Sequence, residues 1–261
     1  MISVRDVTQH YGVKPVLKNI NLDIPAGCRV AVIGPNGMGK TTLLSVIAGI
    51  LVPQKGHVEI GGIPRRRSVD DELEIRRRTV FLPDRCWLPK MRTGREFILS
   101  VGSMYGVDME RLLDHADRLL ALFELTTLAE APIRTYSSGQ QKKISLCSAL
   151  ITDAPLLLLD EPFSGGLDPA GILAMKCLLQ RMADDENRTI VFTAPVPELV
   201  EETADRLVVL KQGEVAAQGT LQDLKRQAGG GQTLDAILER IVFPETLAQI
   251  EAYFEGEDKY K

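Results

Sequence analysis

The chain has little of what several specialised protein classes require. Its four cysteines, Cys28, Cys86, Cys147 and Cys177, lie far apart with no CxxC pair, so neither a zinc site nor a disulfide framework is indicated. Of its three histidines, His10, His57 and His115, each reads as an ordinary turn or surface residue. The longest apolar runs, at 155–159 and 29–33, are far too short to span a bilayer. Met1 leads straight into the strand-like ISVRDVT without a signal peptide, so the expected location is cytosolic. No internal repeat or low-complexity tract is visible. A net charge of −4 argues against a general nucleic-acid binder, although RRR occurs at 65–67 and again at 76–78. Those runs fit a solvated face, or contact with acidic partner loops or anionic lipid headgroups.

What remains is an ordinary globular composition: 261 residues, 44% hydrophobic and 25% charged, enough for one large α/β domain or two smaller ones. ISVRDVT and NLDIP alternate like half-exposed antiparallel strands. RVAVIG, LLLLD and TIVFT are unbroken apolar runs suited to a sheet covered on both faces. Between about Asp84 and Glu130 the apolar residues fall at helical spacing, as in Phe97, Ile98, Val101 and Met104, then Leu112, Leu113, Leu119, Leu120 and Phe123, which predicts a helical insertion. LVVLKQGEVAAQG predicts a hairpin turning at Gln212-Gly213. AGGGQ at 228–232 predicts a flexible joint. After it Leu234, Ile237, Leu238, Ile241 and Val242 predict an amphipathic helix, and Pro244 begins a second one ending near Phe254.

Two segments carry the chemistry. GPNGMGKTT, residues 34–42, fits the P-loop pattern and lies between an apolar strand and the helical LLSVIAGI. Gly34, Gly37 and Gly39 let successive N–H groups face phosphate oxygens, Lys40 reaches the β- and γ-phosphates, and Thr41 ligates Mg²⁺ beside the positive end of a helix. Pro35, Asn36, Met38 and Thr42 complete the candidate nucleotide cradle. A P-loop alone leaves kinases, GTPases and motor ATPases open. PLLLLDEP, residues 155–162, narrows the choice. Asp160 ends a buried strand as a candidate ligand of Mg²⁺ or its waters, and Glu161 can point at the water attacking the γ-phosphate. Upstream, TYSSGQQKKISLCSAL places Ser137, Ser138 and Gly139 where a helix begins, either a plain N-cap or an anion-binding cap for another subunit's nucleotide.

In order and spacing, residues 1 to about 225 resemble the nucleotide-binding subunit of ABC transporters. The resemblance implies that Tyr11 stacks on adenine, that GPNGMGKT is the Walker A, and that YSSGQ, through Ser137, Ser138, Gly139 and Gln140, is the signature. It makes LLLLDE the Walker B with Glu161 as catalytic residue, and Asp168 in GGLDP part of the D-loop along a dimer seam. TGREF at 93–97 looks most like the exporter branch, whose membrane subunits are separate polypeptides. Three positions depart from the family. Asp84 stands where a glutamine usually senses Mg²⁺ and the attacking water; it can accept from water but cannot donate an amide proton, and it stays a candidate metal contact. Ser138 replaces the signature's first glycine. Pro195, where IVFTAPVPEL turns, holds the position of the switch histidine.

The expected fold is therefore α/β: a P-loop NTPase core of ABC type, with a mixed, mainly parallel sheet, an antiparallel β subdomain, a helical subdomain at about 84–140 and a C-terminal helical extension. The expected boundaries are an ATP-binding domain at 1–227 and a linker with helical extension at 228–261, packing on its own domain or bridging to a partner. The resemblance implies ATP and Mg²⁺ as ligands, a homodimer or heterodimer closing head-to-tail on ATP, a separate membrane permease subunit, and a peripheral position on the inner face of the cell membrane. Retained Glu161 argues for an ATPase, made slow by the lost histidine. The alternatives are a nucleotide-gated module with little hydrolysis, or a soluble ABC protein of translation or repair, which would carry two cassettes or a long coiled coil. MgATP should bind, and Lys40→Ala should abolish binding in a filter or fluorescence assay. Undiminished affinity in that variant would refute the P-loop assignment.

Overall fold

A computed structural model describes residues 1–184, 188–194 and 197–227, and then residues 233, 234, 236, 237, 241 and 249. Pro195 and the predicted helix from Pro244 to Phe254 fall outside the described residues, Gln249 excepted. The alternating N-terminal segments form β1 (Ile2–His10) and β2 (Pro15–Ile24), joined by β4 (Lys55–Ile60) and the short β5 (Ile63–Pro64) in an antiparallel sheet ordered β2-β1-β4-β5. The continuous apolar runs form the second sheet. It contains β3 (Arg29–Ile33), β6 (Thr79–Leu82), β7 (Leu156–Leu159), β8 (Thr189–Thr193), β9 (Arg206–Lys211) and β10 (Glu214–Thr220), in the order β10-β9-β3-β8-β7-β6. All neighbours in it are parallel except β9 and β10. That hairpin turns at Gln212 and Gly213, both with positive φ (51° and 81°), the signature of a type I′ turn.

Parallel strands bury both faces, which is why β7 and β8 have no exposed position. One face packs with β1, β2 and helix α1 (Lys40–Ile47). The other packs with α3 (Gly94–Met104), α4 (Met109–Leu122), α5 (Ser138–Leu150) and α6 (Pro169–Asp184). The two short helices α7 (Pro197–Thr203) and α8 (Leu221–Gln227) complete the second layer. The helical insertion is real, but two residues placed on its apolar stripe are not buried. Met104 ends α3 at 84% exposure and Leu113 is 46% exposed, because Ile98, Leu112, Ala116 and Leu119 already fill the seam. His115 departs in the other direction: α4 turns its half-buried ring toward Asp153 (Nδ1 to Oδ1, 3.8 Å), and burial lowers its pKa. Beyond residue 232, Leu234 and Ile237 are fully buried in the main apolar cluster, and Lys211 Nζ donates to the carbonyl of Ile241 at 3.0 Å.

One arginine run precedes α2 (Val69–Arg78) and the other forms its last turn; the N-cap Ser68 accepts from the Asp71 N–H. Acids Asp70, Asp71 and Glu72 sit in its first turn and Arg76, Arg77 and Arg78 in its last, matching the helix dipole at both ends. Four of the arginines are paired: Arg65 and Arg76 with Glu72, Arg67 with Asp71, Arg78 with Glu74. Arg65 does more than decorate a surface. With a side chain only 5% exposed, it donates to the Ile47 carbonyl at the end of α1 (2.7 Å), and Arg66 donates to Gly49 O just beyond (3.0 Å).

A test of this anchoring is the contrast between two arginines of one run. Arg65→Met should cost about 2 kcal/mol in urea unfolding, because it strands a buried carbonyl and weakens a nearly buried ion pair. Arg67→Met, at an exposed i,i+4 pair, should stay within about 0.5 kcal/mol. Equal small losses in both variants would show that Arg65 is not a structural tie.

Candidate functional site

The carboxyl ends of the parallel strands point the same way, so the segments that leave them share one crevice, as expected for an open α/β sheet. From β3 comes the loop 34–39, from β7 the pair Asp160–Glu161, from β8 Thr193, and from β6 the segment starting at Pro83 and Asp84. The glycine loop ends at Gly39, which is the N-cap of α1 in the left-handed region (φ 97°). A side chain there would also meet Leu17 Cδ2 at 2.7 Å and Val16 O at 3.0 Å, so both conformation and space require glycine. Lys40 is buried and its ammonium donates across the loop to the carbonyls of Gly34 (2.7 Å) and Pro35 (3.1 Å). Burial lowers its pKa, and the charges of Glu161 and Asp160 oppose that shift.

Asp160 is 1% exposed and holds the strand ends together. Its Oδ2 accepts from Thr41 Oγ1 at 2.8 Å, its Oδ1 from Thr193 Oγ1 at 2.7 Å, and its own N–H donates to Leu82 O of β6 at 2.8 Å. Glu161 follows with φ 47°, a left-handed conformation uncommon for a side-chain-bearing residue, and its N–H donates to Thr193 Oγ1 at 2.7 Å. One hydroxyl thus fixes both acids. Thr193 was missed in the sequence; the available signal was a threonine closing an otherwise apolar strand.

The remaining nucleotide-cradle candidates lie around this centre. Tyr11 is 67% exposed, with its hydroxyl 3.4 Å from Thr42 Oγ1 at the start of α1. Met38 Sδ accepts from the Gln212 N–H at 3.1 Å, while Asn36 and Gly37 are exposed at the loop's crest.

The signature segment is an N-cap as well as whatever else it does. Ser137 Oγ accepts from Gln140 N (3.3 Å) and Gln140 Oε1 accepts from Ser137 N (2.8 Å), a complete capping box for α5. Gly139 has no room for a side chain, since a Cβ would lie 2.5 Å from Gly166 O, whereas the side chain of Ser138 is exposed. Asp168 caps α6 through the Gly171 N–H (2.8 Å) and pairs with Lys143 at 2.8 Å. The hydrogen bond from Lys143 and that from Gly171 hold its carboxyl below the usual range. Asp84 is joined not to Thr41 or Asp160 but to Lys142 and Ser164: its Oδ1 lies 3.4 Å from Lys142 Nζ and accepts from Ser164 Oγ at 3.0 Å.

A glycine loop between a buried strand and a helix, with an acid pair at a neighbouring strand end reaching back to the helix's first hydroxyl, defines a P-loop nucleotide site. Known proteins narrow this further. The ABC transporter family model matches residues 17–164. A daunorubicin resistance ATP-binding protein, DrrA3 of Streptomyces coeruleorubidus, is 32% identical over 237 residues, covering 91% of this chain and 73% of that one. A solved ATP-binding subunit of an ABC transporter superposes with a TM-score of 0.83 at 30% identity, covering 92% of this chain and 99% of its own. The dimeric cassette MJ0796, solved in a post-hydrolysis state with ADP and Pi, gives 0.76 at 29% identity, covering 85% and 99%. The chain belongs to the ABC transporter family, in which it is an ATP-binding subunit of the ATPase class. Among the described residues no helix is long and apolar enough to cross a membrane.

Thr193 offers a direct test of the site's geometry. Thr193→Val keeps the shape but leaves a buried carboxylate oxygen and the Glu161 N–H without a partner. Unsatisfied groups of this kind cost roughly 1–3 kcal/mol each, so turnover should fall about tenfold to a hundredfold if the cost is met at the transition state. ATP affinity should change little, and Thr193→Ser should retain most of the rate. A valine variant with wild-type turnover would mean that the hydroxyl does not position the acids.

Proposed function

We propose that this chain binds ATP at the P-loop and hydrolyses it slowly, in a dimer whose closure drives a separate membrane permease. The observation that carries the reading is the Thr41–Asp160–Thr193–Glu161 chain of hydrogen bonds, which sets an acid at the place where a γ-phosphate held by Lys40 would meet water. The nucleotide contacts would be Tyr11 on the adenine and residues 34–42 on the phosphates. Thr41 Oγ1 and Asp160 Oδ2 are hard oxygen donors, too few for an all-protein cage, which suits Mg²⁺, a cation that keeps waters and borrows phosphate oxygens. Bound there, it would neutralise charge on the β- and γ-phosphates. Asp84, tied to Lys142 and Ser164, would reach the metal only after leaving both.

Glu161 serves as the general base, taking a proton from the attacking water while Lys40 stabilises the phosphoryl oxygens. Ser137, Ser138, Gly139 and Gln140 serve the nucleotide of the opposite subunit, identical or not, because the exposed cap of α5 has, among the described residues, no phosphate-binding loop of its own chain in contact with it. Asp168 lies on the same seam. Pro195 supplies neither a side-chain donor nor a backbone N–H, so the help a histidine gives at the transition state is missing. Losing one such donor typically costs about 10²–10³ in rate with ground-state binding intact. The unit that performs this work is 1–227, with 228–261 as its extension. Exposed Trp87 and Met91, in the segment between β6 and α3, support a partner on that side, and the permease would hold the chain at the inner face of the membrane.

The deciding experiment is steady-state ATP hydrolysis by the complex isolated with its membrane subunit, in wild type, Glu161→Gln and Pro195→His. Slow hydrolysis in wild type, abolished in Glu161→Gln with ATP-bound dimers accumulating in light scattering, is the expected result. Fast wild-type hydrolysis that depends on Glu161 would sink the slow-enzyme reading. Hydrolysis at background level in both wild type and Glu161→Gln would favour the nucleotide-gated module instead.

A further inference from the structure

Lys142, in the second turn of α5, is a buried ammonium: its side chain is 5% exposed. Its hydrogen bonds go to residue 84 twice, to the carbonyl at 3.3 Å and to the carboxylate Oδ1 at 3.4 Å. Its aliphatic stem lies against Gly165, where a Cβ would come within 3.2 Å of Lys142 Cδ. The same Asp84 Oδ1 accepts from Ser164 Oγ at 3.0 Å, and Ser164 Oγ also lies 2.9 Å from the Glu161 carbonyl. A small cavity of about 200 Å³ borders Asp84, Lys142 and Ser138, so the carboxylate sits beside open space and not in packed core.

A buried ammonium is tolerated when a counter-charge accompanies it, and removing that charge is far more costly than never having had either. This constrains position 84 in a way the departure from glutamine alone does not reveal. A neutral amide there would leave Lys142 without its acid. We propose that Asp84 and Lys142 are a compensating pair, in which the carboxylate neutralises the signature helix's buried ammonium and, through Ser164, positions the backbone of Glu161. Asp84 and Lys142 are thus positioning residues. The anionic side chain at 84 is a requirement set by Lys142, not erosion of the site. The proposal rests on the ATPase reading for its kinetic part alone, since the pairing exists without nucleotide.

The experiment is a double-mutant cycle, Asp84→Gln, Lys142→Gln and the double variant, with Asp84→Glu as the conservative control. It is read three ways: thermal unfolding of the nucleotide-free protein, affinity for MgATP, and turnover of the complex with its membrane subunit. Asp84→Gln should lower the unfolding midpoint by about 4 °C or more, and the double variant should recover most of that loss. Turnover should fall at least about tenfold in Asp84→Gln with affinity changed less than about threefold, and return to within about threefold of wild type in the double variant or in Asp84→Glu. Ser164→Ala should lower turnover several-fold while leaving the midpoint nearly unchanged, which a purely structural role would not produce. Additive losses in the cycle, or an Asp84→Gln variant equal to wild type, would overturn the pairing. If Asp84→Gln does not fold alone but the double variant does, the pairing is supported by rescue. If neither wild type nor Glu161→Gln hydrolyses ATP above background, the ATPase reading fails, while the unfolding and binding arms still decide the pair.

Discussion

The carboxylate of Asp160 is the constraint on which the site depends. At 1% exposure an unaccompanied carboxylate would be strongly disfavoured, and here it is made acceptable by donors from two other strand ends, Thr41 beyond β3 and Thr193 on β8. Its own amide adds a tie to β6. Four neighbouring parallel strands are therefore locked in register at the end where their loops converge. The sheet's hydrophobic faces could hold these strands together, but they could not specify where each strand stops. The polar cluster does.

From that centre the helical half is attached through charged side chains as well as through the shared apolar cluster. Lys142 and Lys143, adjacent on α5, reach in different directions: the first to Asp84 at the start of the insertion, the second to Asp168 at the head of α6. Both ammonium groups are nearly buried, with side chains 5% and 8% exposed. Because each acid also serves a backbone or hydroxyl donor, the position of α5 is conveyed to the loop after Glu161 and to the cap of α6. Their carboxylate partners are 40% and 48% exposed, so such half-buried pairs add little net stability, but stripping a buried ammonium of its acid is costly, and the pairs restrict geometry more than they strengthen it.

How much of this was legible beforehand follows from how local each signal is. GPNGMGKTT and LLLLDE could be read directly, because the residues that act together are contiguous and their flanking strands are apolar throughout. The mainly parallel sheet was readable for the same reason, as was the Gln212-Gly213 hairpin. Thr193, Ser164 and Lys142 were not, since their meaning arises from juxtaposition across 33, 80 and 58 positions of chain. Periodicity marked the insertion but overran it at Met104 and Leu113, where a helix end and a filled seam left apolar residues in solvent. The arginine runs misled in the opposite sense. Charge suggested an outward face, but Arg65 is an inward cap on α1, since a guanidinium can satisfy a helix-terminal carbonyl and an acid at once.

The departure at Pro195 falls on one side of the proposed reaction, whereas that at Asp84 answers to Lys142. The groups that would hold ATP in its ground state, the glycine loop, Lys40 and the Thr41–Asp160 pair, are all in place. What differs concerns water and the γ-phosphate, where interactions matter chiefly at the transition state. Binding that is equal in ground and transition states does not raise turnover, so under the proposed reading a cassette altered at Pro195 keeps its affinity and loses speed. Closure of a dimer on ATP needs affinity, whereas reopening needs hydrolysis or release. Under the proposed reading, the change at Pro195 lengthens the closed state without weakening its formation, and a partner subunit with a faster site would then set the rhythm of the pair.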